Sequence, residues 1–141
     1  MLPINVRHTT LPAVAVILLS VVAGLAVWPQ LPAEMAIHFD GASDPNGYVS
    51  KTVGVFLAPA IGIGAILFSR AAVSADSTTD PQTAARSILF VGLVIAYVQG
   101  LVLAWNLGMR FDMTTAIVPV LVGAGILVAY ERGIGRTLLG S

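Results

Sequence analysis

Four stretches of this chain are long, apolar and free of charge: Leu11 to Trp28, Val53 to Ser69, Ser87 to Leu107, and Met113 to Tyr130. An uncharged apolar run of about 18 residues spans roughly 30 Å of hydrocarbon as a helix. Each run is apolar around its whole circumference, so none suits a helix lying flat on a surface. The expected fold is therefore an all-α membrane protein, a four-helix transmembrane bundle with spans at about 11–28, 53–70, 87–107 and 113–130. Composition agrees: 57% of residues are hydrophobic and 10% charged, whereas a soluble domain has about a quarter charged. The chain is read as one transmembrane domain over residues 1–141, with the lipid bilayer as its first partner.

Local signals place the helix ends. Asp80-Pro81 pairs a capping residue with proline at the first helical position, and Asp112 offers a second N-cap. The link at Gly108 to Phe111 forces the last two helices into a tight antiparallel hairpin. The link Ala71 to Thr79 is short, polar and rich in Ser and Thr. Pro59 and Pro119 fall inside spans, where each removes an amide donor. The first span, preceded by Arg7 and His8 and ending near Gly24-Leu25-Ala26, could be a cleavable signal peptide; it is read as a retained signal anchor. His8 is read as a solvated flank.

Basic residues set the expected orientation. Arg7, Arg70, Arg86, Arg132 and Arg136 fall on one side of a four-span layout, and Lys51 and Arg110 on the other. The expectation is a multi-pass protein of a prokaryotic cell membrane with both termini cytoplasmic. Trp28 and Trp105 then anchor the outer interface, and Tyr130 the inner one. With zero net charge and scattered basic residues, nothing points to nucleic acid.

Helices in lipid associate through close packing and a few polar groups, which makes small residues informative. Gly92, Ala96, Gly100, Ala104 and Gly108 recur every four residues in the third span, and Gly54, Ala58 and Gly62 in the second. They are read as packing seams, with an added subunit contact in an oligomer or complex, or mere abundance of small residues, as alternatives. Gln99 and Asn106, seven apart on one helix face, need partners for their amides. An interhelical hydrogen bond is the plain reading, and a ligand or ion site near the outer leaflet the sharper one. No ionisable group sits in mid-span, which disfavours coupled transport.

The connection at residues 29–51 carries the character of the sequence. Asp44-Pro45-Asn46-Gly47 has the composition of a type I turn, and Asp40-Gly41 offers a second bend. Met35, Ile37 and Phe39 alternate with Ala36 and His38, as in a short extended piece with one face on the bundle. The expected form is an ordered hairpin lid. His38 can serve a structural bond, partner recognition, or a metal together with Glu34, Asp40 or Asp44. One His without Cys makes no known zinc pattern, and no catalytic constellation is present. The chain is read as no enzyme, with no metal and no cofactor.

Trp28-Pro29-Gln30-Leu31-Pro32, Met35-Ala36-Ile37-His38-Phe39 and Asp44-Pro45-Asn46-Gly47-Tyr48-Val49-Ser50-Lys51 together resemble the loop signature of a domain of unknown function that forms the N-terminal part of the SdpI-like immunity protein family. This chain departs at Ala36, where that pattern usually has Pro, at Ser43, where it has Gly, and at Asn46, where it has Asp. Gly133-Ile134-Gly135-Arg136-Thr137 faintly echoes the next family segment. The characterised members are longer, and combine immunity to a secreted toxin with signalling to a cytoplasmic repressor. The resemblance implies a non-enzymatic membrane protein resembling the family's sensing half. Its outer loop would bind a peptide or protein partner, with Pro32, His38, Phe39, Asp44, Pro45, Gly47, Tyr48 and Lys51 as the candidate contacts. The rival expectation is a structural or accessory subunit of a larger membrane complex.

Overall fold

A computed structural model describes residues 6–75, 78 and 80–133. Arg136 and the segment 134–137 lie outside the described residues. The order of elements is α1 (Val6–Ala26), a single 3-10 turn (Trp28–Gln30), β1 (Glu34–Phe39), β2 (Pro45–Ser50), α2 (Lys51–Ala75), α3 (Pro81–Asn106) and α4 (Met113–Glu131). All four helices are long and apolar enough to cross a membrane, the make-up of a multi-pass membrane protein. Residues 71–75, expected to open a polar link, continue α2.

The helices start and stop for identifiable reasons. Asp80 accepts hydrogen bonds from the amides of Gln82 and Thr83, with Pro81 entering the first turn. Gly108 stops α3. Its φ of +101° lets its amide donate to the Trp105 carbonyl while the Met109 amide reaches the Ala104 carbonyl, a Schellman motif. Gly108 is therefore a helix terminator, although its spacing continued the small-residue stripe.

At the centre α3 packs against α1 and α2, and touches β1 and α4 more lightly. Ala13, Ile17, Ile66 and Ile88 form one buried cluster. Leu31, Met35, Val55, Val102 and Leu103 form a second, beneath the hairpin. Small residues set the helix separations: a Cβ on Gly92 would lie 2.8 Å from the Cα of Ala13, and one on Gly62 would lie 2.8 Å from Ile95. Gly54 makes room for Met35 of β1 rather than for a helix. Ala58 and Ala96 are half-buried. A Cβ on Gly100 would meet nothing within 4 Å, so this glycine sets no helix separation among the described residues.

Pro59 has no amide to donate to the Val55 carbonyl one turn earlier, which leaves that group orphaned in a buried stretch. Gln99 of α3 supplies the missing donor, its Nε2 lying 3.1 Å from the carbonyls of both Val55 and Gly54. A neighbouring helix thereby repairs the ladder that proline opens. On α4, the Tyr97 hydroxyl donates to the Ala116 carbonyl, three residues before Pro119.

α4 has no buried residue. At the end away from the hairpin, Arg86 pairs with Glu131 and lies 5.0 Å from the Tyr130 ring centre, while Thr83 donates to Glu131 at 2.6 Å.

Candidate functional site: the hairpin cap

β1 and β2 pair antiparallel, with Glu34 opposite Ser50, Ala36 opposite Tyr48, His38 opposite Gly47 and Phe39 opposite Pro45. The turn lies at Asp40 to Ser43, where the Ser43 amide donates to the Asp40 carbonyl and the Asp40 carboxylate accepts from the amides of Ala42 and Asp44. Asp44-Pro45-Asn46-Gly47, expected as a type I turn, instead leads into and forms the start of β2. Proline is tolerated at the first position of a strand, where the ladder does not need its amide. Gly47 serves close pairing rather than turning: a Cβ there would lie 2.8 Å from the Cβ of His38.

Three helix ends hold the hairpin. Asn106 of α3 pairs with both backbone groups of Ala36: its Oδ1 accepts from the amide at 2.9 Å and its Nδ2 donates to the carbonyl at 2.8 Å. This continues the hydrogen bonding of the strand on its outer side and buries Ala36 to 3% exposure. The register shifts on either side of His38. The simple alternation expected from Met35 to Phe39 breaks already before these shifts, with Met35 and Ala36 buried in succession because Asn106 covers Ala36.

Ser43 joins the turn to α4. It adopts φ +66°, a region that costs a non-glycine residue about 1–2 kcal/mol. Its hydroxyl oxygen accepts from the Met113 amide at 2.8 Å, and the hydroxyl donates to Asp112 at 2.7 Å. Asp112 in turn accepts from the amides of Thr114 and Thr115. The first amides of α4 are thus capped by two residues far apart in sequence. The Thr115 hydroxyl first, then that of Ser43, holds the Asp112 carboxyl below its ordinary range. Hydrogen bonds from Thr83 and the backbone do the same for Asp80.

Lys51 clamps the start of the hairpin, donating to the Trp28 carbonyl at 3.0 Å with its ammonium 5.1 Å from the indole centre. Its charge is committed within the chain, which the loop motif alone does not reveal. Around the other tryptophan, Trp105, Phe39 and Phe111 stack edge-on at 5.0 and 5.7 Å, and Arg110 lies over the ring at 4.7 Å. His38 stays exposed, its Nδ1 meeting Asn46 Oδ1 at 2.5 Å. Among the described residues, no three His, Asp or Glu side chains form a group that could hold a metal ion.

Between hairpin and α3 lies an open trough of about 550 Å³, lined by Pro32, Glu34, Asp44, Tyr48, Trp105 and Arg110 among others. Four of the loop residues singled out by sequence, Pro32, Asp44, Pro45 and Tyr48, line it. His38 and Phe39 border a different, more apolar groove, and Lys51 lies apart. Beside Ala36 and Asn106, the rest of the lining comes from Glu34, Trp105 and Arg110. Sequence reading did not join these three, though the short α3–α4 link brings Arg110 to the hairpin end.

The fold and cap define a small polytopic membrane protein whose helix ends carry a braced β-hairpin. Residues 15–63, covering α1 from Ala15 onward, the hairpin and the first half of α2, match the family model of a domain of unknown function, DUF1648. No curated protein matches the chain, nor does any solved structure.

Proposed function

We propose that this chain is a non-enzymatic membrane protein that binds a peptide or protein partner through the hairpin cap on its outer face, in the manner of the sensing half of SdpI-like immunity proteins. The observation that carries the reading is the trough itself. It is open, it presents Glu34, Asp44 and Arg110 beside the rings of Tyr48 and Trp105, and bonds to three helices brace its walls. A pre-formed surface loses little entropy on binding, and mixed charge beside aromatic rings suits a polypeptide. The proposed topology has both termini in the cytoplasm. In support, Arg7, Arg70, Arg86 and Arg132 cluster at the end away from the hairpin.

A photo-crosslinking residue at Tyr48, which is 58% exposed, tests the reading in living cells. The expected result is a discrete adduct, lost with Arg110→Ala and accompanied by altered sensitivity to secreted peptide toxins of related strains. No adduct and unchanged sensitivity refute it. Single cysteines test orientation: an impermeant reagent should label Asn46→Cys and spare Gln82→Cys in intact cells.

The exposed face of α4 and the open surface at Gly100 favour a second reading, an accessory subunit of a larger membrane assembly. Purification in mild detergent separates the two. A stoichiometric partner lost with Gly100→Leu but kept with Tyr48→Ala supports the subunit reading.

A further inference from the structure

A second cavity system, distinct from the trough, runs under the hairpin on the bundle's side. One groove of about 420 Å³ lies between β1, α3 and α4, with Val98, Leu101, Ile117 and Thr114 in its wall. A smaller one of about 140 Å³ lies between α2 and α3, walled by Leu57, Ala58, Ile61 and Gln99. They adjoin, since Ile37, Val98 and Val102 line both. The walls belong to helices suited to a bilayer, so hydrocarbon is the surrounding medium.

One polar atom in this setting has no explanation in the fold. Gln99 is 1% exposed, and both protons of its amide nitrogen are committed to the carbonyls of Gly54 and Val55. This also fixes the amide orientation, because the oxygen cannot face two carbonyls. Among the described residues no donor reaches Oε1. No fully sealed side-chain oxygen or nitrogen lacks a partner, so Oε1 keeps a sliver of access, and Gln99 lines the smaller groove. Gln99 lies seven residues, about 10 Å along α3, from Asn106, and its amide meets α2 at Gly54 and Val55, on the bundle side of Met35 and Ile37. Water is scarce at that depth, and an acceptor there gains most from a donor that arrives on an apolar carrier.

We infer that the α2–α3 groove binds a single-chain lipid bearing a free hydroxyl, which donates to Gln99 Oε1 while the chain lies along Leu57, Ile61 and Val98. The adjoining groove toward Ile117 gives such a chain room to extend beneath the hairpin.

The full chain, reconstituted in phosphatidylcholine nanodiscs, is labelled with a photoactivatable long-chain alcohol or with its methyl ether of equal length. The alcohol should label peptides from α2 and α3 around the groove several-fold more than the ether. Ala58→Phe fills the groove without touching the Gln99 bonds, and should reduce alcohol labelling there to the level seen on the exposed face of α4. Equal labelling by the two probes, labelling spread evenly over all four helices, or labelling unchanged by Ala58→Phe would overturn the assignment.

Discussion

Replacing Asn106 with alanine isolates the joint between hairpin and bundle. The substitution removes the acceptor for the Ala36 amide and the donor to its carbonyl, bonds of 2.9 and 2.8 Å, together with a side-chain bond to the Val102 carbonyl of α3 itself. An orphaned buried group costs about 1–3 kcal/mol. Asn106 is only half-buried, so water can enter the gap, and the two losses together come to about 2 kcal/mol. At about 1.4 kcal/mol per tenfold, that is roughly a 30-fold rise in the opening equilibrium of the hairpin. Hydrogen exchange in detergent micelles reads it directly at the amide of Ala36. Exchange there should accelerate by about that factor, while the amides of Ile17 and Ile88, in the other cluster, keep their rates. Asn106→Asp is the informative companion. It retains an acceptor for the amide but no donor for the carbonyl, and it places a charge beside that carbonyl, so it should loosen the hairpin at least as much. An unchanged rate at Ala36 in the alanine variant would show that Asn106 does not hold the strand.

Ser43→Gly relieves the left-handed backbone but loses the bonds to α4, whereas Ser43→Ala loses the bonds and keeps the strain. The glycine variant should therefore be the more stable of the two by about 1 kcal/mol in thermal unfolding, with both below the parent. Gly92→Ala should destabilise by about 1–3 kcal/mol, since its Cβ meets the backbone of Ala13; Gly100→Ala, which meets nothing, should unfold at the parent temperature or slightly above. The Asp112 carboxyl, held below its ordinary range by Thr115 and Ser43, contributes stability that is present above the unfolded-state value. That contribution is lost as pH falls through the lower folded-state value. The protection factors at the start of α4, which remove the intrinsic pH dependence of amide exchange, should thus fall at acid pH, and Asp112→Asn should flatten this part of the profile.

The helices were legible because hydrocarbon imposes a length and a composition on them, and because Asp80-Pro81 and Asp112 are local caps. The hairpin was legible as an extended piece with two candidate bends, Asp44-Pro45-Asn46-Gly47 and Asp40-Gly41, of which only the second turns the chain. Asp-Pro-Asn-Gly has the better turn composition, yet the bend forms at Asp40 to Ser43, where a hydroxyl can cap α4. The capping bond from the Met113 amide links residues 70 apart, and no local pattern contains it. The common face of Gln99 and Asn106 was likewise readable, while their partners were not. One reaches a helix and the other a strand, since α2 begins directly beneath the hairpin. Arg110 and Glu34 came to a common trough only through the packing of α3.

The dependence of α2 on Gln99 has a consequence for biogenesis. As α2 leaves the translocation machinery it carries an unfinished hydrogen-bond ladder at Pro59 into a medium with no water to complete it. Its natural donor is still to be synthesised, on the next helix. Lateral release should therefore favour α2 and α3 as a pair over α2 alone.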